Sequence, residues 1–141
     1  MKTSTIPVPQ NSAWRIIDAK DQNLGRLAVK VACSLLGKDK PTFSPHQICG
    51  DHVIVLNAGK LLLPPKKSLR KVYHRHTGHP GGLKTTSLED MIEKDPEQVI
   101  HRAVKGMMPL NRMRTTLLKR LHVFTESEHP YAAQKPTPLS L

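Results

Sequence analysis

A chain of 141 residues holds one domain of ordinary size and is too short for two with separate cores. Its 38% hydrophobic and 4% aromatic content calls for an aliphatic core, while 22 Lys and Arg against 11 Asp and Glu give a net charge of +11 and an isoelectric point near 10.0, a field that attracts polyanions and nucleic acid first. The Cys at 33 and 49 form neither a disulfide framework nor a CxxC pair, the usage of a reducing compartment, and with no apolar run near the roughly 20 residues of a membrane span and no apolar stretch in MKTSTIPVPQNS, neither secretion nor membrane insertion is expected.

Residues 1–13, with Pro7 and Pro9, read as a flexible N-terminal arm. An ordered domain over 14–125 follows, then an extended C-terminal tail over 126–141 that contains Pro130, Pro136 and Pro138. The run Trp14 to Asp18 predicts a strand, with Asn23 as the N-cap of a helix. Leu24, Leu27, Ala28, Val31 and Leu35 form one helical stripe that Gly37 closes. The continuous apolar run His52 to Asn57 predicts a strand buried on both faces, and strand, helix and strand fit a right-handed parallel crossover covered by helices. Leu61 to Leu63 suggests a short strand that Pro64 and Pro65 end. Residues 66–86 show little periodicity and read as a long functional loop.

Ser87, three residues before Asp90, signals a helix start, and so does Asp95 before Pro96. Val99, Ile100, Ala103, Val104 and Met107 then recur at helical spacing. A third helix is expected over Met113 to Leu121, with Leu117, Leu118 and Leu121 inward and Arg114, Lys119 and Arg120 outward. His122 to Thr125 predicts a last strand.

The charge is unevenly placed. Between Gly59 and Leu88, Lys60, Lys66, Lys67, Arg70, Lys71, Arg75 and Lys84 meet no acidic residue, and from Gln98 to Thr125 neither do Arg102, Lys105, Arg112, Arg114, Lys119 and Arg120. Solubility surfaces mix their signs. Unopposed cations with glycines between them suit phosphate, because Lys and Arg neutralise it and small residues admit it to backbone amides. The segment Tyr73-His74-Arg75-His76-Thr77-Gly78-His79-Pro80-Gly81-Gly82 admits three readings: zinc ligation by its three His, two of them in an HxH pair, with Cys49 as a fourth ligand, base stacking or phosphate contact, and plain turn chemistry. Gly78, Gly81 and Gly82 are expected to let the loop backbone approach ribose-phosphate.

Enzyme signatures are missing: no GxSxG, no GxxxxGK[ST] and no GxGxxG after the first strand. Asp18 and Asp51, at strand ends, fit capping or turn roles.

The strings WRIIDA, LGRLAVKVA, GDHVIVLNA, KVYHRHTGHPGGLK, EDMI, VIHRAVKGMMP and EHPYAAQKP, in this order, resemble the bacterial-type ribosomal protein L-thirteen family of the large subunit, over Trp14 to Pro138. The resemblance implies a single three-layer α/β/α domain with a four-stranded, mainly parallel sheet. It implies binding to large-subunit ribosomal RNA beside neighbouring ribosomal proteins, early entry into subunit assembly, and a place in the ribosome of a bacterial cytoplasm or of an organelle matrix or stroma. It implies no catalysis, cofactor, metal or small-molecule substrate. By position, it puts RNA contacts on Arg26, on Lys71, Tyr73, His74, Arg75, His76, Thr77, Gly78, His79, Gly81, Gly82 and Lys84, and on Lys105, Gly106, Arg112 and Arg114. Lys38, Lys40, Lys60, Lys66, Lys67, Arg70, Lys119, Arg120 and His129 complete the candidate RNA-binding set.

The chain departs from the family pattern at Leu63-Pro64-Pro65-Lys66, where Thr-Gly-x-Lys is common. It departs again at Leu110-Asn111-Arg112-Met113-Arg114, where the cations are shifted, and at Phe124-Thr125-Glu126-Ser127, where Tyr-x-Gly is usual. The rival functions are a small α/β enzyme acting on nucleotides and a free-standing RNA-binding regulator.

Overall fold

Strands β1 (Trp14–Asp18) and β2 (His52–Leu56) form where bulky apolar residues run together, and helix α1 (Leu24–Leu36) lies between them in a computed structural model that describes residues 12–139. The arm expected over 1–13 therefore lies outside the described residues except at Ser12 and Ala13. The two strands pair in parallel, Trp14 opposite His52 through Asp18 opposite Leu56. Gly37 ends α1 with φ +78°, a left-handed backbone that glycine adopts without strain, and its amide reaches the carbonyls of Cys33 and Ser34. The chain then passes so close to α1 that a Cβ on Gly50 would stand 1.6 Å from the Leu35 carbonyl oxygen.

Downstream come α2 (Pro65–Arg70), β3 (Val72–His76), β4 (Leu83–Ser87), α3 (Leu88–Lys94), α4 (Pro96–Met107), α5 (Met113–Leu118), β5 (Leu121–Val123) and β6 (Thr137–Pro138). Two of the expected N-caps form through their side chains, while Asn23 stands at the N-cap of α1 with no side-chain hydrogen bond. The Ser87 hydroxyl accepts from the Asp90 amide and the Asp95 carboxylate from the Gln98 amide, with Pro96 in the first turn of α4. The main sheet has the order β5-β2-β1-β6 with every pair parallel, an α/β fold with a four-stranded parallel sheet as anticipated.

Alternation along the strands separates two faces. Ile17, Val53, Val55 and Leu121 bury with Leu27, Val31 and Leu35 of α1, Ile100 and Val104 of α4 and Leu117 of α5 in one aliphatic cluster. The opposite face carries rings: Trp14 stacks on His52 at 4.3 Å, on His122 at 5.3 Å and on Tyr131 of the tail at 4.9 Å between centroids. The His52 Nδ1 and His122 Nε2 atoms in this stack are buried with no hydrogen-bond partner among the described residues. A smaller cluster of Leu88, Met91 and Val99 joins α3 to α4.

Four expectations are corrected. Residues 66–86 are not a loop but α2 and an antiparallel hairpin, β3 with β4. Pro65 serves as a first-turn residue of α2, where a missing amide does no harm, and the hairpin is exposed along most of both strands, which removes the alternation by which strands are read. Leu61 to Leu63 makes only an isolated bridge, Leu62 to Asn23. Helix α5 stops at Leu118: the Arg120 amide tightens to an i−3 bond with the Leu117 carbonyl, and Leu121 enters β5. The fourth strand comes from the tail: Arg15 and Ile16 of β1 face Thr137 and Pro138 of β6.

Candidate nucleic-acid interface

The β3–β4 hairpin projects the densest group of candidate residues. Its register sets His74 opposite Thr85 and His76 opposite Leu83 on one side, with Tyr73 opposite Thr86 and Arg75 opposite Lys84 on the other. Two like charges directly opposed across strands repel and destabilise the pair. No acid relieves them, since Arg15 and Lys40 are the cations that form ion pairs among the described residues, both with Asp51. Hairpin, α2 and the exposed cations of α4 and α5 thus present uncompensated positive charge.

The hairpin loop is ordered by its own backbone. The Thr77 amide donates to Gly82 O at 3.0 Å, the Gly82 amide to His79 O at 2.9 Å and the Gly78 amide to His76 Nδ1 at 3.0 Å. Gly78 and Gly81 have φ of +90° and +73°, turns that disfavour any side chain. Gly82 has a different reason. A Cβ there would lie 2.0 Å from Thr77 Oγ1 and 2.9 Å from His79 O, so at Gly82 the room expected for ribose-phosphate is filled by the loop itself. Among the described residues no three His, Cys, Asp or Glu side chains are grouped so that they would hold a metal ion.

Two cations approach the Tyr73 ring, Lys71 Nζ at 5.2 Å and the Arg102 guanidinium carbon at 5.3 Å from its centroid. Its hydroxyl is buried without a hydrogen-bond partner among the described residues. Beside it, Lys67, Lys71, Arg102, Gly25 and Gly106 line one groove of about 590 Å³. Arg102 stands outside the candidate set read from the sequence, and the fold brings it beside Lys67 and Lys71. Its signal was its place in the second acid-free block, four residues after Gln98 and three before Lys105.

Other candidates lie elsewhere. Arg26 is exposed on α1, Lys38 follows that helix, and Lys60 ends a 3-10 turn over Ala58–Lys60. Lys66 and Arg70 are exposed on α2, Lys84 on β4, and Lys105, Gly106, Arg112 and Lys119 around α4 and α5, with Arg114 half-buried. Lys40 and Arg120 hold the fold together: Lys40 Nζ bonds to Cys49 O and Asp51 Oδ1, and Arg120 Nη1 donates to Gly50 O, so the outward position expected for Arg120 is corrected. His129 Nδ1 accepts from the Tyr131 amide at 3.2 Å. Burial holds the His52 imidazole below its ordinary pKa, helped by the Arg120 charge, and burial does the same for His122. No helix among the described residues is long and apolar enough to cross a membrane.

Comparison with known proteins adds lineage to this geometry. The profile of the family described as Ribosomal protein L13 matches residues 12–130. The chain is 51% identical to the large ribosomal subunit protein uL13 of Symbiobacterium thermophilum over 94% of each chain. It is 47% identical to that of Nitratidesulfovibrio vulgaris over 100% of this chain and 99% of the relative, and 53% identical to that of Corynebacterium diphtheriae over 87% and 84%. With a basic hairpin beside a parallel α/β core, and with identities near one half over almost every residue, the chain belongs to the ribosomal protein L13 family.

Proposed function

We propose that the chain is a structural, non-enzymatic constituent of the large ribosomal subunit, binding large-subunit ribosomal RNA through the hairpin and its adjoining helices, beside neighbouring ribosomal proteins. It enters the particle early in assembly and resides in the ribosome, in a bacterial cytoplasm or an organelle matrix or stroma. The observation that carries this reading is Arg75 directly opposite Lys84 in a region whose described cations form no ion pairs. A chain that keeps such repulsion in its free state gains when a polyanion neutralises it. RNA also fits the exposed imidazoles at 74 and 76, since rings and cations together read unpaired bases and phosphates. The family and the names of the relatives support the same assignment.

Sucrose-gradient sedimentation of an extract tests it. The chain is expected to comigrate with large subunits through a high-salt wash, and a wholly soluble pool would refute the reading. With purified components, about six phosphate contacts at a slope of about −0.7 to −0.9 each lower log affinity by roughly four to five per decade of salt. A flat response would mean that the basic blocks face solvent.

A further inference from the structure

We infer that the groove between the first turn of α1, α2 and α4 receives a single nucleotide splayed out of the RNA, its base on the apolar wall and its phosphates against Lys67, Lys71 and Arg102. The inference rests on the RNA-binding reading above. At about 590 Å³, the groove is within the range of small-ligand sites, and Leu24, Leu63, Leu88 and Met107 supply an apolar wall of the kind on which an unstacked base rests. The three cations line the same space, and no carboxylate does. Lys71 and Arg102 both lie within 5.3 Å of the Tyr73 ring centroid, so one ring attracts both charges. The α1 N-terminus at the groove carries no acidic residue in its first turn and no side-chain cap, so its partial positive charge adds to theirs.

The glycines are the sharper sign. Gly25 is the second residue of α1 and Gly106 the last but one of α4, and both line the groove. A Cβ at either would meet nothing within 4 Å. Packing within the chain therefore does not require glycine at these two positions. What they keep is open volume beside three cations, which serves an anionic occupant.

Full-length Gly25→Leu and Gly106→Leu variants test this with a transcript of large-subunit ribosomal RNA at fixed salt. Each is expected to bind about ten-fold more weakly, with an unchanged salt slope because no cation is removed, and with a melting temperature at or above that of the parent. Acylation footprinting should show one nucleotide whose reactivity changes with the parent chain and not with Gly106→Leu. Parent-like affinity and footprint in both variants would overturn the inference and leave the RNA-binding reading standing, since the parent still binds. A parent that does not bind the transcript would overturn both. Should leucine disturb folding, the exposed pair Lys71→Gln and Arg102→Gln takes its place: loss of the same footprint supports the groove, and its persistence refutes it. Normal RNA binding by the variants, with loss of another ribosomal protein from reconstituted subunits, would assign the groove to a protein segment and also refute the inference.

Discussion

Replacing Asp51 by Ala removes the carboxylate on which the start of the sheet is fastened. Asp51 is 3% exposed. It accepts from the Ala13 amide at 3.0 Å and from Arg15 Nε at 3.4 Å, and it bonds to Lys40 Nζ. Losing one partner of a fully buried ion pair costs about 3–5 kcal/mol, but the Arg15 and Lys40 side chains are 37% and 24% exposed, and water takes over part of their solvation. The remainder, an unbonded Ala13 amide and two weakened cations, comes to about 2–3 kcal/mol. For a domain of this length that lowers the melting temperature by about 6–12 °C, measurable by circular dichroism. Asp51→Asn should lose less, because an amide oxygen still accepts from Ala13. A drop under about 2 °C for Asp51→Ala would refute the reasoning and mark the network as surface charge.

Acid should destabilise the ring stack. Burial holds the His52 and His122 imidazoles below the ordinary histidine pKa of 6.5, so below about that pH the unfolded chain binds more protons than the folded one and stability falls as pH falls. Denaturant titrations followed by Trp14 fluorescence should show a midpoint that drops from pH 7 to pH 5, with a shallower drop in His122→Asn; identical pH profiles would refute the assignment. Lys84→Glu replaces repulsion at Arg75 by attraction and should raise stability by up to about 1 kcal/mol while RNA affinity falls; a gain in both would refute the interface. Gly82→Ala should leave the melt of the core unchanged but speed hydrogen exchange at the Thr77 and Gly82 amides, with partial recovery when Thr77→Ala removes the 2.0 Å contact; wild-type exchange rates would show that the loop has slack.

The elements that carry their own punctuation were legible in the sequence. Gly37 closes α1, Ser87 opens α3, and Asp95 with Pro96 opens α4, each through a local hydrogen bond or backbone angle that residue type decides. The aliphatic cluster was legible for the same reason, since Leu27, Val31 and Leu35 repeat at helical spacing. The hairpin was not. Only Tyr73, Thr86 and Ser87 are half-buried and the rest of both strands is exposed, so no alternation marked them as strands. Strand β6 has two residues, one of them Pro138, and depends on an edge more than a hundred residues earlier. The candidate cations were found as blocks, but local pattern could not sort those that face solvent from Lys40 and Arg120, whose partners Asp51 and Gly50 lie 11 and 70 residues away. The groove draws on four separate stretches, so its members shared no motif.

The pairing of β1 with β6 orders events in time. Arg15 bonds to Thr137, 122 positions later in the chain, so on the ribosome that makes this chain, β1, α1 and β2 emerge long before β6 exists. Until then β1 has a bare edge that offers unpaired amides and carbonyls to any passing strand, and the Trp14 ring lacks Tyr131. The last part of the fold to form is therefore the seal on its first strand. A nascent chain stalled before residue 131 should keep the Trp14 indole accessible to quenchers, and release of the tail should protect it.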